Sequence, residues 1–144
     1  MRNDGRLSRM LHVLIHMARH DGPMTSEAIA RMLGTNPVLI RRTMAGLRDA
    51  GYVRSEKGHG GGWAITADLK TVTLLDVHHA VGGPRLFAIG IEGPEPGCQI
   101  AAVVNEAVSE ALQEAERLLV ERLASISLAT LVKTFDERRG SVSV

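Results

Sequence analysis

Residues 24–51 read MTSEAIARMLGTNPVLIRRTMAGLRDAG, and the spacing predicts two short helices separated by a tight turn. Thr25 can cap the first turn, and Met24 sits where a staple residue would meet Ile29, so a helix is expected from Ser26 to about Leu33, with Gly34 as its stop. Thr35-Asn36-Pro37 then offers a capping Asn followed by Pro at the first helical position. Ile40, Met44 and Leu47 define a buried face that lasts until Gly51. Two short helices joined by a glycine-containing turn of three or four residues make a helix-turn-helix.

Working outward, Tyr52–Glu56 and Trp63–Thr66 are two short runs flanking Lys57-Gly58-His59-Gly60-Gly61-Gly62, which reads as a hairpin with an exposed, flexible tip. A hairpin directly after a helix-turn-helix is a winged helix. Upstream, Leu7, Met10, Leu11, Leu14, Met17 and Ala18 recur at helical spacing from Arg6 to His20, and Asp21-Gly22-Pro23 closes that helix. Downstream, Thr73 and Asp76 can form a capping box, Val72 and Val77 a staple, and the helix ends at Gly82-Gly83-Pro84. Residues 82–97 hold five Gly and three of the five Pro, a loop. From Cys98 to about Ser125 the pattern is one long helix with Ile100, Val104, Val108, Ala111, Ala115, Leu118 and Leu119 on a broad stripe. It would be about 39 Å long, more than a small winged helix covers, so the same helix of a second copy is its simplest partner. Ile126-Ser127-Leu128 repeats the capping pattern, with Ile126 facing Leu131, for a short last helix ending near Phe135. The expected fold is mainly α, a winged helix-turn-helix with a long C-terminal dimerisation helix. The expected division is a DNA-binding domain over 1–82, a Gly/Pro-rich loop over 83–97, the dimerisation helix and short terminal helix over 98–135, and a flexible tail over 136–144.

At 144 residues the chain has room for about one domain and is too short for a barrel enzyme. With 44% hydrophobic and 23% charged residues, neither a disordered nor a fibrous class fits. The aromatics, Tyr52, Trp63, Phe87 and Phe135, are too few to build the core, which suits helices packed through Leu, Ile, Val, Met and Ala. The net charge of +1 is a cancellation: residues 1–66 hold ten Lys and Arg against five Asp and Glu (+5), residues 67–144 seven against eleven (−4). That asymmetry points to a polyanion-binding head. Cys98, the single Cys, excludes an intramolecular disulfide. No run approaches the roughly 18 apolar residues of a membrane span, and the chain does not open on a signal-peptide pattern, so a cytoplasmic protein with no membrane partner is expected.

With Ile40 at the centre of the buried face, Arg42 lies about 200° away and Val38 about 160° away, both outward. Arg41 and Arg48 flank them. If this helix enters a major groove N-terminus first, Thr35, Asn36, Pro37, Val38, Arg41, Arg42 and Arg48 meet base edges or phosphates. Arg can pair with guanine, Asn with adenine, and Val38 can touch a thymine methyl. In the hairpin tip, Lys57 and His59 are placed for the minor groove, and glycines such as Gly60 let the backbone approach closely. The glycines do not form a dinucleotide-binding fingerprint, because position six from Gly58 is Trp63 and a strand follows. His12, His16 and His20 recur one turn apart opposite the apolar stripe, a spacing that seats a metal between two imidazoles but offers no third ligand, so no metal site is assigned. His78 and His79 point in different directions and are assigned no site. Cys98 opens the long helix, where the helix dipole lowers a thiol's pKa and Glu92 and Glu95 oppose that; it is a sensing candidate, with packing as the alternative. No nucleophile, base and orienting group can be named together, so no catalytic site and no enzyme activity are expected.

The run Asn36-Pro37-Val38-Leu39-Ile40-Arg41-Arg42, then Leu47–Val53, Gly58–Trp63 and Thr73–Val77, closely resembles the Rrf2 family of bacterial winged-helix transcription regulators, and the likeness extends through Leu86-Phe87 and Ser127–Leu131. The resemblance implies a homodimer built on the long helix that binds a partly palindromic double-stranded operator, usually as a repressor. It also implies that residues 82–97 and the start of the long helix form the sensory region. Cluster-binding members carry three cysteines there, whereas this chain has Cys98 alone, so neither an iron-sulfur cluster nor another cofactor is expected. Two other readings stand beside it: a regulator in which Cys98 and imidazoles hold an iron centre, and a winged-helix module that binds an acidic protein.

Overall fold

In the computed structural model, which describes residues 4–83, 85–93 and 97–141, the chain runs α1 (Arg6–Arg19), α2 (Ser26–Leu33), α3 (Pro37–Asp49), β1 (Val53–Glu56), β2 (Gly62–Ile65), α4 (Leu74–Ala80), α5 (Gln99–Ala124) and α6 (Leu128–Ser141). α2, α3 and α4 each begin where a short polar side chain at the N-cap takes over an orphan amide. Thr25 Oγ1 accepts from the Ala28 amide at 3.0 Å, and Asn36 Oδ1 from the Leu39 amide at 2.9 Å. Thr73 and Asp76 form a reciprocal box, at 3.1 Å to Thr73 Oγ1 and 2.9 Å to Asp76 Oδ2. α2 ends as Gly34 turns to φ +65°, and the Thr35 amide reaches back to the Ala30 carbonyl at 2.9 Å. That turn sets α3 across α2.

The core is aliphatic. Met10, Val13, Leu14 and Met17 of α1 face Ile29 and Ala30 of α2, Ile40, Met44 and Leu47 of α3, and Val77 of α4. α3 and α4 come so close at Gly46 that a Cβ there would collide with the Ala80 carbonyl. β1 and β2 pair antiparallel with Ser55 opposite Trp63. Met24 adds a one-residue third strand, exchanging backbone hydrogen bonds of 3.0 and 2.8 Å with Trp63. The buried indole Nε1 of Trp63 donates to Ser26 Oγ at 2.9 Å, which fastens the hairpin to the start of α2.

α5 leaves this body, packs against α4 and has no buried residue. Ile100, Val103, Val104 and Leu118 are each more than half exposed. The chain then returns: the Leu74 amide bonds to the Ile126 carbonyl at 3.0 Å and the Leu128 amide to the Val72 carbonyl at 2.9 Å. Leu128 is itself buried in the winged-helix core.

Two expectations need correction. The last helix does not stop near Phe135; α6 runs to Ser141, so 136–141 is helix and not tail. Its end is polar and is held by backbone-directed and ionic contacts, Ser141 Oγ donating to the Glu137 carbonyl at 2.8 Å and Arg19 pairing with Asp136 at 3.0 Å, which carry no apolar signal. Nor does the terminal helix belong only with α5, since Leu128 completes the core built by residues 10–81. Of the predicted loop and tail, Pro84, residues 94–96 and residues 142–144 lie outside the described residues.

Candidate nucleic-acid interface

Val38 and Arg42, one turn apart on α3, both face outward: Val38 is 61% exposed while Ile40 between them is fully buried. Arg42 makes no hydrogen bond or ion pair among the described residues and is free to reach a ligand. Arg41 lies on a neighbouring line and is held by Glu27 of α2, Nη2 to Oε1 at 3.0 Å. Arg48, two turns further along, sits 3.5 Å from Asp49. Thr35 and Pro37 are half-buried at the helix start. Asn36 is exposed, and its Oδ1 accepts from the Leu39 amide. A two-point pair with adenine needs both the oxygen and the amino group. The cap takes one of the two Oδ1 lone pairs, so both the oxygen and the NH2 group of this exposed side chain remain available.

Lys57, His59 and Gly60 are exposed on the hairpin tip. Gly58 and Gly60 adopt φ of +92° and +78°, a region that side chains rarely enter, which is why the tip is glycine. Between the tip, α3 and the start of α2 lies an open cleft of about 520 Å³. It gathers Arg41, Arg48 and Lys57, while Thr35, Asn36, Val38, Arg42, His59 and Gly60 do not line it. Glu27, Ser55 and Glu56 do line it, and sequence reasoning missed them. The carboxyl of Glu27 is held below its usual range, first by its own backbone amide in the opening turn of α2 and then by Arg41. Arg54 is likewise folded onto Glu56, at 2.9 and 2.6 Å. The only sequence hint of Glu27 is its place in a capped first turn, and the partner Arg41 comes from another helix.

Elsewhere, Cys98 is half-buried and is itself the N-cap of α5, its Sγ accepting from the Ala101 amide at 3.5 Å. Beside α5 the segment from Arg85 to Ile91 borders a cleft of about 500 Å³ with Ser109, Leu112 and Glu116. His12 and His16 come together on α1, whereas His20 turns to the Gly22 carbonyl at 3.1 Å.

A family model described as Rrf2, an iron-dependent transcriptional regulator, matches residues 4–134. The chain belongs to the Rrf2 family. It is 32% identical over 126 residues to YwnA of Bacillus subtilis strain 168, named as an HTH-type transcriptional regulator, covering 87% of this chain and 92% of that one. Among solved structures it is similar to T. potens IscR (TM-score 0.70, 18% identity, 96% of this chain and 90% of that one). It is also similar to CymR, the global cysteine regulator of B. subtilis (TM-score 0.60, 23% identity, 93% and 98%). This Rrf2 protein is thus a DNA-binding transcription regulator with a winged-helix fold, in a family of regulators and not of enzymes. The iron of the family description does not fit the donor set of one chain: it has one thiol, and among the described residues no three His, Cys, Asp or Glu are grouped to hold a metal ion. No helix among the described residues is long and apolar enough to cross a membrane.

Proposed function

We propose that this Rrf2 protein is a homodimeric, cytoplasmic repressor that binds a partly palindromic duplex operator, with α3 in the major groove and the hairpin in the adjacent minor groove. The observation that carries this reading is the pairing of an outward Val38–Arg42 face with a cationic cleft beside the hairpin. Val38 and Arg42 meet base edges; Arg41, Arg48 and Lys57 meet phosphates; Thr35, the Asn36 NH2 group and the backbone at Pro37 flank them; His59 and Gly60 enter the minor groove. Arg41 exchanges its Glu27 partner for a phosphate on binding.

Dimerisation is supported by α5, where Ile100, Val104, Ala107, Ala111 and Leu118 fall on alternating steps of three and four, broken only at Glu114. Two-fold symmetry then places the α3 helices at half-sites about one helical turn, or a multiple, apart. The thiol of Cys98, at the head of α5, is the input for a redox or electrophile signal. The test starts from a sequence selected by the wild-type protein out of random duplexes. Replacing Arg41 and Arg42 by Ala should abolish preference for that sequence and, through the lost Arg41–phosphate contact, reduce the slope of log affinity against log salt by about 0.9 per protomer. An unchanged slope removes Arg41 from the phosphate contacts, and a retained sequence preference removes Arg42 from the base contacts.

A further inference from the structure

On the exposed side of α1, away from Met10, Val13, Leu14 and Met17, the rings of His12 and His16 converge until their Nε2 atoms stand 3.0 Å apart, with ring centroids 4.8 Å apart and planes inclined by 51°. We propose that this pair is a two-imidazole site for a divalent late transition-metal ion of tetragonal preference, Cu(II) above all. Helix geometry brings residues four apart onto one line, and the two Nε2 atoms already stand within hydrogen-bond distance of each other.

The separation suits two ligands at nearly a right angle. With metal–nitrogen bonds of about 2.0–2.1 Å, a 3.0 Å span corresponds to a nitrogen–metal–nitrogen angle of about 91–97°, whereas a tetrahedral centre needs about 3.3 Å. Near-right angles suit Cu(II) and Ni(II), and Cu(II) heads the affinity order for nitrogen ligands. Without metal, one Nε2–H donates to the lone pair of the other Nε2. When the ion binds, the donating ring moves that proton to its own Nδ1 through water, which frees both Nε2 lone pairs for the ion. Water fills the other positions. His20 is not a ligand, because its Nδ1 is taken by the Gly22 carbonyl at 3.1 Å. The nearby charge of Arg19 is offset by Asp136 at 3.0 Å.

The site is independent of operator binding, and its test does not use DNA. The full chain carrying Cys98→Ser, which removes the thiol able to reduce the ion, is titrated with Cu(II) chloride against glycine as competing chelator. Electron paramagnetic resonance is recorded at one equivalent of metal without glycine. The expected result is one Cu(II) per chain coupled to two nitrogens. His12→Gln and His16→Gln should each weaken binding at least tenfold and leave one coupled nitrogen, and His20→Gln should change neither quantity. Unchanged affinity in the His12 and His16 variants, or an equal loss in the His20 variant, overturns the proposal. Both rings are exposed, so circular dichroism should show every variant folded.

Discussion

Ser26 and Trp63 meet through a buried hydrogen bond that ties the hairpin to the helix-turn-helix. Ser26→Ala would leave the indole N–H buried without an acceptor, a cost of about 1–3 kcal/mol. Trp63 is the single tryptophan, so urea unfolding followed by its fluorescence reports both the lower midpoint and any opening of the hairpin. Tyr52, the single tyrosine, has its phenol pushed above the usual 10.0 by burial and then by the charge of Asp76. The folded chain therefore keeps this proton longer than the unfolded chain. Stability from this group is intact below pH 10 and falls as pH rises through the folded value. Phenolate absorbance should titrate at higher pH in the native protein than in denaturant, and equal midpoints would refute this. At this scale the sequence was legible for what each side chain can do, less so for what it is already doing. Asn36 reads equally well as a cap and as a base reader, and only its 2.9 Å bond to Leu39 shows that it caps.

Helix starts were legible because each is decided within four residues, as at Thr25, Asn36 and Thr73. Links that join distant residues were not. Met24 meets Trp63, and Thr73 meets Ser127, as isolated bridges with no alternating pattern around them to announce a strand. The end of α6 was invisible for a similar reason, since Asp136–Ser141 has no apolar residue and is helical through polar contacts. The cleft cations Arg41, Arg48 and Lys57 were legible as charge, while their acidic neighbours Glu27 and Glu56 emerged only once α2, α3 and the hairpin were brought together. For α5, Ala111 sits at the centre of the three-four stripe and is exposed. Ala111→Glu should convert the proposed dimer to a monomer in size-exclusion chromatography with light scattering, without loss of helix content, because it disturbs no packing within the chain. A mutant that remains dimeric would move the interface off this stripe.

Across the whole molecule, the basic first half and acidic second half are not separate bodies. Leu128 follows the acidic helix yet is only 2% exposed inside the core of the basic head. Leu128→Ala should cost about 2–5 kcal/mol and lower the urea midpoint of the entire winged helix; a loss confined to α6 would show that the return of the chain is dispensable. This closure also makes α5 a lever. Its C-terminal end is clamped to the head through Ile126 and Leu128, while its other end begins at Cys98. Over a length of about 39 Å, moving the Cys98 end sideways by about 1 Å tilts the helix by about 1.5° around its clamp. In the proposed symmetric pair, joined along their levers, the same small tilt would turn both heads in opposite senses and gear the spacing of the two α3 helices to the positions of the two Cys98 sulfurs.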